Sequence, residues 1–231
     1  TKGSGGFVET SARVADVNLA RVNTGGGTWL LDPDDVEING IGTISGATLV
    51  TPTAIGNALV NNDFVVQTNA AGTGGYGDIV VNGSVSWSGA NGLTLNAGRD
   101  ITINQNISNS GSGGVNLFAG GSITNASSIT TRGSLGLLAK GSIALGNASY
   151  SGSLRSYGSP ITLIANWNGS TATPDVGASA QCAGNFCGIS GSGSIDSNYY
   201  YSSAATGGAV TLKAPGDIAL SGISIYARGS D

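Results

Sequence analysis

The chain has 231 residues, of which 40 are Gly, 39% are hydrophobic and only 10% are charged; it has no His and no Met. It is long enough to bury a real core and too apolar for disorder, and imidazole catalysis by this chain alone is excluded. Nine basic against thirteen acidic residues leave a net charge of −4, and without a basic cluster this argues against a nucleic-acid partner.

Nothing at Thr1–Glu9 reads as a signal peptide, and no apolar run approaches the ~18 residues of a membrane span. The chain starts on Thr1 rather than Met, and we expect a piece of a longer protein. The first predicted strands are Phe7-Val-Glu-Thr10 and Trp29-Leu-Leu-Asp32, 22 residues apart. One helical turn is predicted at Thr53–Val60, inside an irregular stretch, Pro52–Asn62. From there the chain repeats. Gly77-Asp-Ile-Val-Val81 leads into Leu93-Thr-Leu95 and Ile101-Thr-Ile103, then Val115-Asn-Leu117 and Ile123, then Leu135-Gly-Leu137 and Ile143. Equivalent residues recur every 20–22 positions, and apolar residues alternate strictly within each short run. Ile161-Thr-Leu163, Val210-Thr-Leu212 and Ile223-Ser-Ile225 continue the pattern.

Such a period, with no helix to carry crossovers, predicts a solenoid. Each unit is one coil, and equivalent strands stack in parallel about 4.8 Å apart. Inward Leu, Ile and Val form the core, and about nine coils are expected. We divide the chain into irregular N-terminal coils (1–62), regular coils (63–165), one insertion projecting from the rod (166–207) and final coils (208–231). The end coils present open strand edges, so either the irregular N-terminal segment caps them or the rod associates end to end.

Gly5-Gly-Phe-Val-Glu-Thr-Ser11 and then Gly27-Thr-Trp-Leu-Leu-Asp-Pro-Asp-Asp-Val-Glu-Ile38 form a pair of phrases that resembles the large bacterial exoproteins of the filamentous-haemagglutinin type. These include the high-molecular-weight adhesins of two-partner secretion. Asp78-Ile-Val-Val-Asn-Gly-Ser-Val-Ser-Trp87 and Leu93–Ile103 are similar to the next stretches of such proteins. The likeness covers roughly residues 5–145. It implies an all-β, right-handed parallel β-helix, export through an outer-membrane transporter partner, and a secreted or cell-surface adhesin that attaches to a host or bacterial cell-surface glycan or protein. The Asn-Pro-Asn-Gly phrase of the secretion domain is absent, and on the resemblance we expect this piece to lie downstream of that domain.

Several residues are candidates for chemistry. Cys182 and Cys187 lack the further ligands a zinc site needs; they read as a small disulfide loop of an oxidising compartment, with two free thiols as the alternative. Asp32, Asp34, Asp35 and Glu37 form the densest acidic group, without the spacing of a calcium loop; a turn closing a coil explains them. Asp78, Asp100, Ser122, Ser142 and Asp217 occupy one repeat position. They read either as turn caps bonded to the backbone or as the paired acids of a polysaccharide-active β-helix enzyme. Five Asn-x-Ser sequons, at Asn82, Asn106, Asn125, Asn147 and Asn168, recur nearly once per coil. The resembled family is glycosylated at such sequons, whereas turn asparagines of a periodic fold produce the same spacing. Trp167, Tyr199, Tyr200 and Tyr201 bracket the insertion, either as a ligand surface or as packing against the rod. No cofactor or metal is expected. The expected function is a non-catalytic adhesin segment, with a ligand-free structural stalk as the alternative.

Overall fold

The structure is a computed structural model, and it describes residues 5–69, 76–177, 182, 187–198 and 207–228. In chain order its elements are β1 (Phe7–Ser11), β2 (Thr28–Asp32), β3 (Val36–Ile38), β4 (Thr48–Val50), α1 (Pro52–Ala58), β5 (Asp63–Gln67), β6 (Ile79–Val81), β7 (Val85–Trp87), β8 (Leu93–Ala97), β9 (Ile101–Ile103), β10 (Ile107–Asn109), β11 (Val115–Ala119), β12 (Ile123–Asn125), β13 (Ser128–Thr130), β14 (Leu135–Ala139), β15 (Ile143–Leu145), β16 (Gly152–Arg155), β17 (Ile161–Ala165), β18 (Ile189–Gly191), β19 (Gly193–Asp196), β20 (Val210–Lys213), β21 (Ile218–Ala219) and β22 (Ile223–Tyr226).

The strands form three parallel sheets, and each regular coil contributes one strand to each. Sheet A runs β1-β2-β5-β8-β11-β14-β17-β20, sheet B runs β4-β3-β6-β9-β12-β15-β18-β21, and sheet C runs β7-β10-β13-β16-β19-β22. The chain is therefore a parallel β-helix. Sheet A has eight strands where about nine coils were expected: residues 12–27 and 39–47 are connections, not coils.

The register explains the period. Trp29, Phe64, Leu93, Val115, Leu135, Ile161 and Val210 stack in one column of sheet A. Val36, Ile79, Ile101, Ile123, Ile143, Ile189 and Ile218 stack in one column of sheet B. All but the last member of each column are buried. A one-residue slip would turn each strand's inward face outward, so these columns fix the repeat length. The first pair differs from expectation: Val8, not Phe7, lies opposite Trp29. The offset there is 21 residues, and Phe7 faces outward, 63% exposed.

At the N-terminal end the edges of sheets C and B are covered, while β1, the edge of sheet A, stays exposed. Thr51 caps α1 by accepting from the Ala54 N–H (3.2 Å), and Pro52 stands at the first turn. Ala54, Ile55 and Ala58 are buried, and the helix packs beside β7, the edge strand of sheet C. On the edge of sheet B, Asn18 donates to the Leu49 carbonyl (2.9 Å) and accepts from the Thr51 N–H (2.7 Å). These bonds occupy the β4 edge.

The segment 166–207 is not a single excursion. Its residues Ile189–Gly191 and Gly193–Asp196 are β18 and β19, registered on β15 and β16. The chain leaves the coil after β17 and returns for two sheets. A single residue, Ser192, separates β18 from β19. The corner closes because Gly191 and Gly193 adopt φ of 128° and 131° and press their backbone onto Leu145 and Gly152, where a Cβ would lie 1.8 and 1.7 Å from the carbonyl oxygens.

Candidate functional site

The repeated acidic position is a main-chain ladder. Asp35 belongs to it, because it precedes Val36 as Asp78 precedes Ile79. Asp35 accepts from the Asp78 N–H (2.8 Å), Asp78 from Asp100 (3.2 Å), and Asp100 from Ser122 (2.7 Å). Ser122 Oγ then accepts from Ser142, and Ser142 Oγ from Gly188, each at 3.2 Å. Every side chain thus caps the amide of the equivalent residue one coil on. Arg99 donates to Asp78 through Nε (2.7 Å) and Nη2, lies 3.5 Å from Asp100, and covers the Tyr76 ring at 4.4 Å. These carboxylates hold turns together. The sequence carried the missed member: Asp35-Val36 stands 43 residues, or two coil lengths, before Asp78-Ile79.

The acidic group around Asp32 does not converge on one point. Glu37 lies on the outer side of β3 yet is 1% exposed, because the connection to β4 folds over it. Its Oε1 accepts from Asn39 Nδ2 (3.0 Å), Thr43 Oγ1 (2.5 Å) and Asn82 Nδ2 (3.1 Å). Its Oε2 accepts from the N–H groups of Thr43 (2.6 Å) and Ile44 (2.8 Å). Burial pushes its pKa up, but the bonds from Thr43, Asn82 and Asn39 outweigh it and hold the carboxyl at about 2. Asp32 moves the other way: burial, with the charges of Glu9 and Asp34, raises it against the bond from Gln67. Among the described residues no group of three or more His, Cys, Asp or Glu is placed to hold a metal ion.

The sequons divide by exposure. Asn125 is fully buried between Ile103 and Leu145, so the folded chain offers no glycan acceptor there. Asn82 is half-buried against Glu37. Asn106, Asn147 and Asn168 are exposed and accept main-chain N–H bonds from Ser128, from Ser149 and Tyr150, and from Ser170. The five do not share one coil position: Asn125 is registered on Ile103 and Leu145, Asn82, Asn106 and Asn147 lie at different offsets in the turns after β6, β9 and β15, and Asn168 follows β17.

Trp167 packs; it does not present its face to solvent. On sheet A the outward residues Phe118, Leu138 and Ile164 stack in register, leaving an apolar stripe where the pleat would put polar side chains. The chain leaving β17 covers it. Trp167 is 8% exposed, stacks on Phe118 at 5.3 Å, and joins Leu138, Ile164 and Val176 in one cluster. Trp167 and Val176 pair as an antiparallel bridge, and Lys213 ties Asp175 to β20 at 3.0 Å. Of the two readings of Trp167, packing against the rod describes where the structure places it, as a lid on this stripe. Tyr199, Tyr200 and Tyr201 lie outside the described residues. Cys182 and Cys187 form the expected disulfide.

A feature the sequence reading missed lies along the outer side of sheet C. A trough of about 560 Å³ runs from Trp87 to Tyr157, floored by Ser108, Ser110 and Thr130 and flanked by Arg132. A second, of about 390 Å³, continues past Trp87 to α1. Trp87 is half-buried, and its indole N–H donates to the Asn91 carbonyl (3.0 Å). Tyr157 adopts φ 45°, and its ring lies 4.9 Å from the Arg155 guanidinium and 6.0 Å from that of Arg132. Arg155 is also paired with Asp196 at 3.2 Å.

Comparison of the chain with protein-family models, with curated proteins and with solved structures finds no match. No helix among the described residues is long and apolar enough to cross a membrane.

Proposed function

We propose that this chain is a non-catalytic segment of a large exported bacterial surface protein of the filamentous-haemagglutinin type. It is a rigid rod that presents the segments leaving the coil to a host or neighbouring cell. The parent protein would pass an outer-membrane transporter partner and reside at the cell surface. The observation that carries the reading is a continuous parallel stack whose largest departure, after β17, is braced on the rod by Trp167 and by the Asp175–Lys213 pair and is closed on itself by a disulfide. Loops held by a rigid scaffold are where binding resides, and the disulfide suits an oxidising compartment. The enzyme alternative loses support because the candidate acids are engaged by main-chain amides and Arg99.

The test is attachment of the labelled protein to cultured epithelial cells. A variant carries Gly/Ser of equal length at 178–186 and 199–206, with Cys187→Ser, so that β18 and β19 stay intact. Loss of attachment with unchanged circular dichroism supports the reading. Equal attachment by both refutes a role for these segments, and attachment by neither favours a ligand-free stalk.

A further inference from the structure

We propose that Asn39 is a self-modification site: the main-chain nitrogen of Gly40 closes on the Asn39 side chain and converts it, through a cyclic imide, to aspartate and isoaspartate. The reaction needs water and no enzyme. It stands apart from the attachment role proposed above.

The steps balance without an oxidant or reductant. The Gly40 nitrogen gives its proton to water and bonds to Cγ of Asn39. The Cγ–Nδ2 bond breaks, and the side-chain nitrogen takes up a proton and leaves as ammonia. Water then opens the five-membered imide. Attack at Cγ leaves aspartate in an ordinary main chain. Attack at the main-chain carbonyl leaves isoaspartate, with the chain running through the side chain. Glycine is the follower that obstructs ring closure least, because it has no Cβ.

The chain has four Asn-Gly pairs: Asn39-Gly40, Asn82-Gly83, Asn91-Gly92 and Asn168-Gly169. In two of them the glycine N–H is engaged elsewhere. Gly83 donates to the Ile38 carbonyl (2.8 Å), and Gly92 donates to Asp63 Oδ1 (2.7 Å). At Asn168 the side-chain amide is tied beyond the glycine: Oδ1 accepts from the Ser170 N–H and Nδ2 donates to the Thr173 carbonyl, each at 3.0 Å.

Asn39 differs, because its Oδ1 accepts from the Gly40 N–H itself, at 2.7 Å. Cγ lies about 1.2 Å from Oδ1, so it is within about 4 Å of the attacking nitrogen, close to the about 3–3.5 Å of a near-attack geometry. The amide is held that way round. Its Nδ2 donates to Glu37 Oε1 (3.0 Å), and a carboxylate only accepts. Turned over, the amide would set oxygen against Glu37 and N–H₂ against the Gly40 N–H, losing both bonds. Gly40 is exposed and Ile41 follows it 77% exposed, so water reaches the glycine nitrogen.

The product disturbs the pocket beneath. Glu37 is buried and fixed by donors from Asn39, Thr43, Ile44 and Asn82. Conversion removes the Asn39 donor and sets a second carboxylate beside the first, and like charges there repel. Asn39 also donates its own N–H to the Val50 carbonyl (3.1 Å), and isoaspartate, with one more main-chain carbon, puts the chain beyond it out of step. The connection over Glu37 loosens while the coils from β8 onward keep their register.

The experiment is incubation of the purified chain in mildly alkaline buffer at body temperature, with peptide mapping by mass spectrometry at intervals. Each conversion adds one dalton, and isoaspartate is told from aspartate by isoaspartyl methyltransferase labelling. We expect Asn39 to convert about tenfold faster or more than Asn82, Asn91 and Asn168. In urea the four rates should draw together, since the sequence pair is then the same at each site. Gly40→Ala is a clean variant, because a Cβ there meets nothing within 4 Å. It should keep the melting curve and slow conversion at Asn39 about tenfold or more. Asn39→Asp should melt below the parent, and the aged parent should move toward it. An Asn39 no faster than the other three, a ranking that persists in urea, an unchanged rate in folded Gly40→Ala, or an Asn39→Asp that melts as the parent does overturns the proposal. The ranking within the parent needs no variant, so it decides even if Gly40→Ala fails to fold.

Discussion

Glu37→Gln tests whether a charge buried under its own loop holds the N-terminal coils. The carboxylate is 1% exposed and accepts five hydrogen bonds, two of them from the main chain of the connection to β4. Burial raises its pKa, yet the donors from Thr43, Asn82 and Asn39 overcome that effect and bring it from 4.5 down to about 2. At about 1.4 kcal/mol per pH unit, the fall from 4.5 to about 2 sets an upper bound of roughly 3.5 kcal/mol on the stability linked to this proton. The covering loop is itself wet, with Ile41 77% exposed, so we expect about 2 kcal/mol. A folded pKa below the unfolded one stabilises fully above pH about 4.5, and the contribution is lost as the pH falls toward 2. Glutamine keeps the shape but turns an N–H₂ toward either two main-chain donors or three side-chain donors, leaving buried donors unmet. Urea unfolding at intervals from pH 7 to pH 2 is the assay. The variant should be about 2–3 kcal/mol less stable at pH 7. The gap should shrink as pH falls below 4.5, and the Thr43 and Ile44 amides should lose hydrogen-exchange protection first. A gap that stays constant over this range would refute the argument, since other carboxylates titrate equally in both proteins.

Three further outcomes are expected from the packing. Gly191→Ala would set a Cβ 1.8 Å from the Leu145 carbonyl oxygen at a φ of 128°; we expect a loss of about 3 kcal/mol or more by urea unfolding, and an unchanged midpoint would mean that β18 does not stack on β15. Asn125 is fully buried, and its Nδ2 has no hydrogen-bond partner, while Ile103 and Leu145 lie on either side. Its Oδ1 accepts only a long bond from the Ser127 N–H (3.4 Å), so Asn125→Leu should stabilise the chain by up to about 1 kcal/mol, and a loss of more than about 1 kcal/mol would contradict the orphaned Nδ2. The unreduced, denatured protein should titrate with no free thiol. Because the disulfide joins residues only five apart, reducing it should cost no more than about 2 kcal/mol on the chain-entropy account; global unfolding on reduction would refute that figure.

The parts of this fold that could be read from sequence are those where the column of inward residues is unbroken. From β8 to β15 the coils differ in length by two residues at most, and Leu93, Val115 and Leu135 announce the register by themselves. The second coil of the departure was illegible because β18 and β19 each turn a single large apolar residue inward, Ile189 and Ile195, so there is no alternation to count. The trough escaped for a related reason. In sheet C, Ile107 and Ile129 are 22 residues apart but Ile129 and Leu154 are 25 apart, and the extra turn before β16 shifts Tyr157 out of phase with Arg132. The lid was written in the sequence as an exception: Phe118, Leu138 and Ile164 are apolar where Thr94, Asn116 and Thr162 keep neighbouring outward positions polar.

These cases share one physical constraint. A stack of coils must carry every inward column across each junction, so length changes are tolerated only where the chain turns between sheets, and each added segment must leave and re-enter at a corner. The connection over Glu37, the turn before Tyr157 and the departure after β17 all obey this. Chemistry free to vary without melting the rod is confined to the corners and to the outward residues that flank them. The trough has that composition: its floor is the outward row of sheet C, and its ends, Trp87 and Tyr157, stand where the chain turns out of that sheet. Corner residues can therefore be substituted one coil at a time, while the Leu and Ile columns beneath stay fixed.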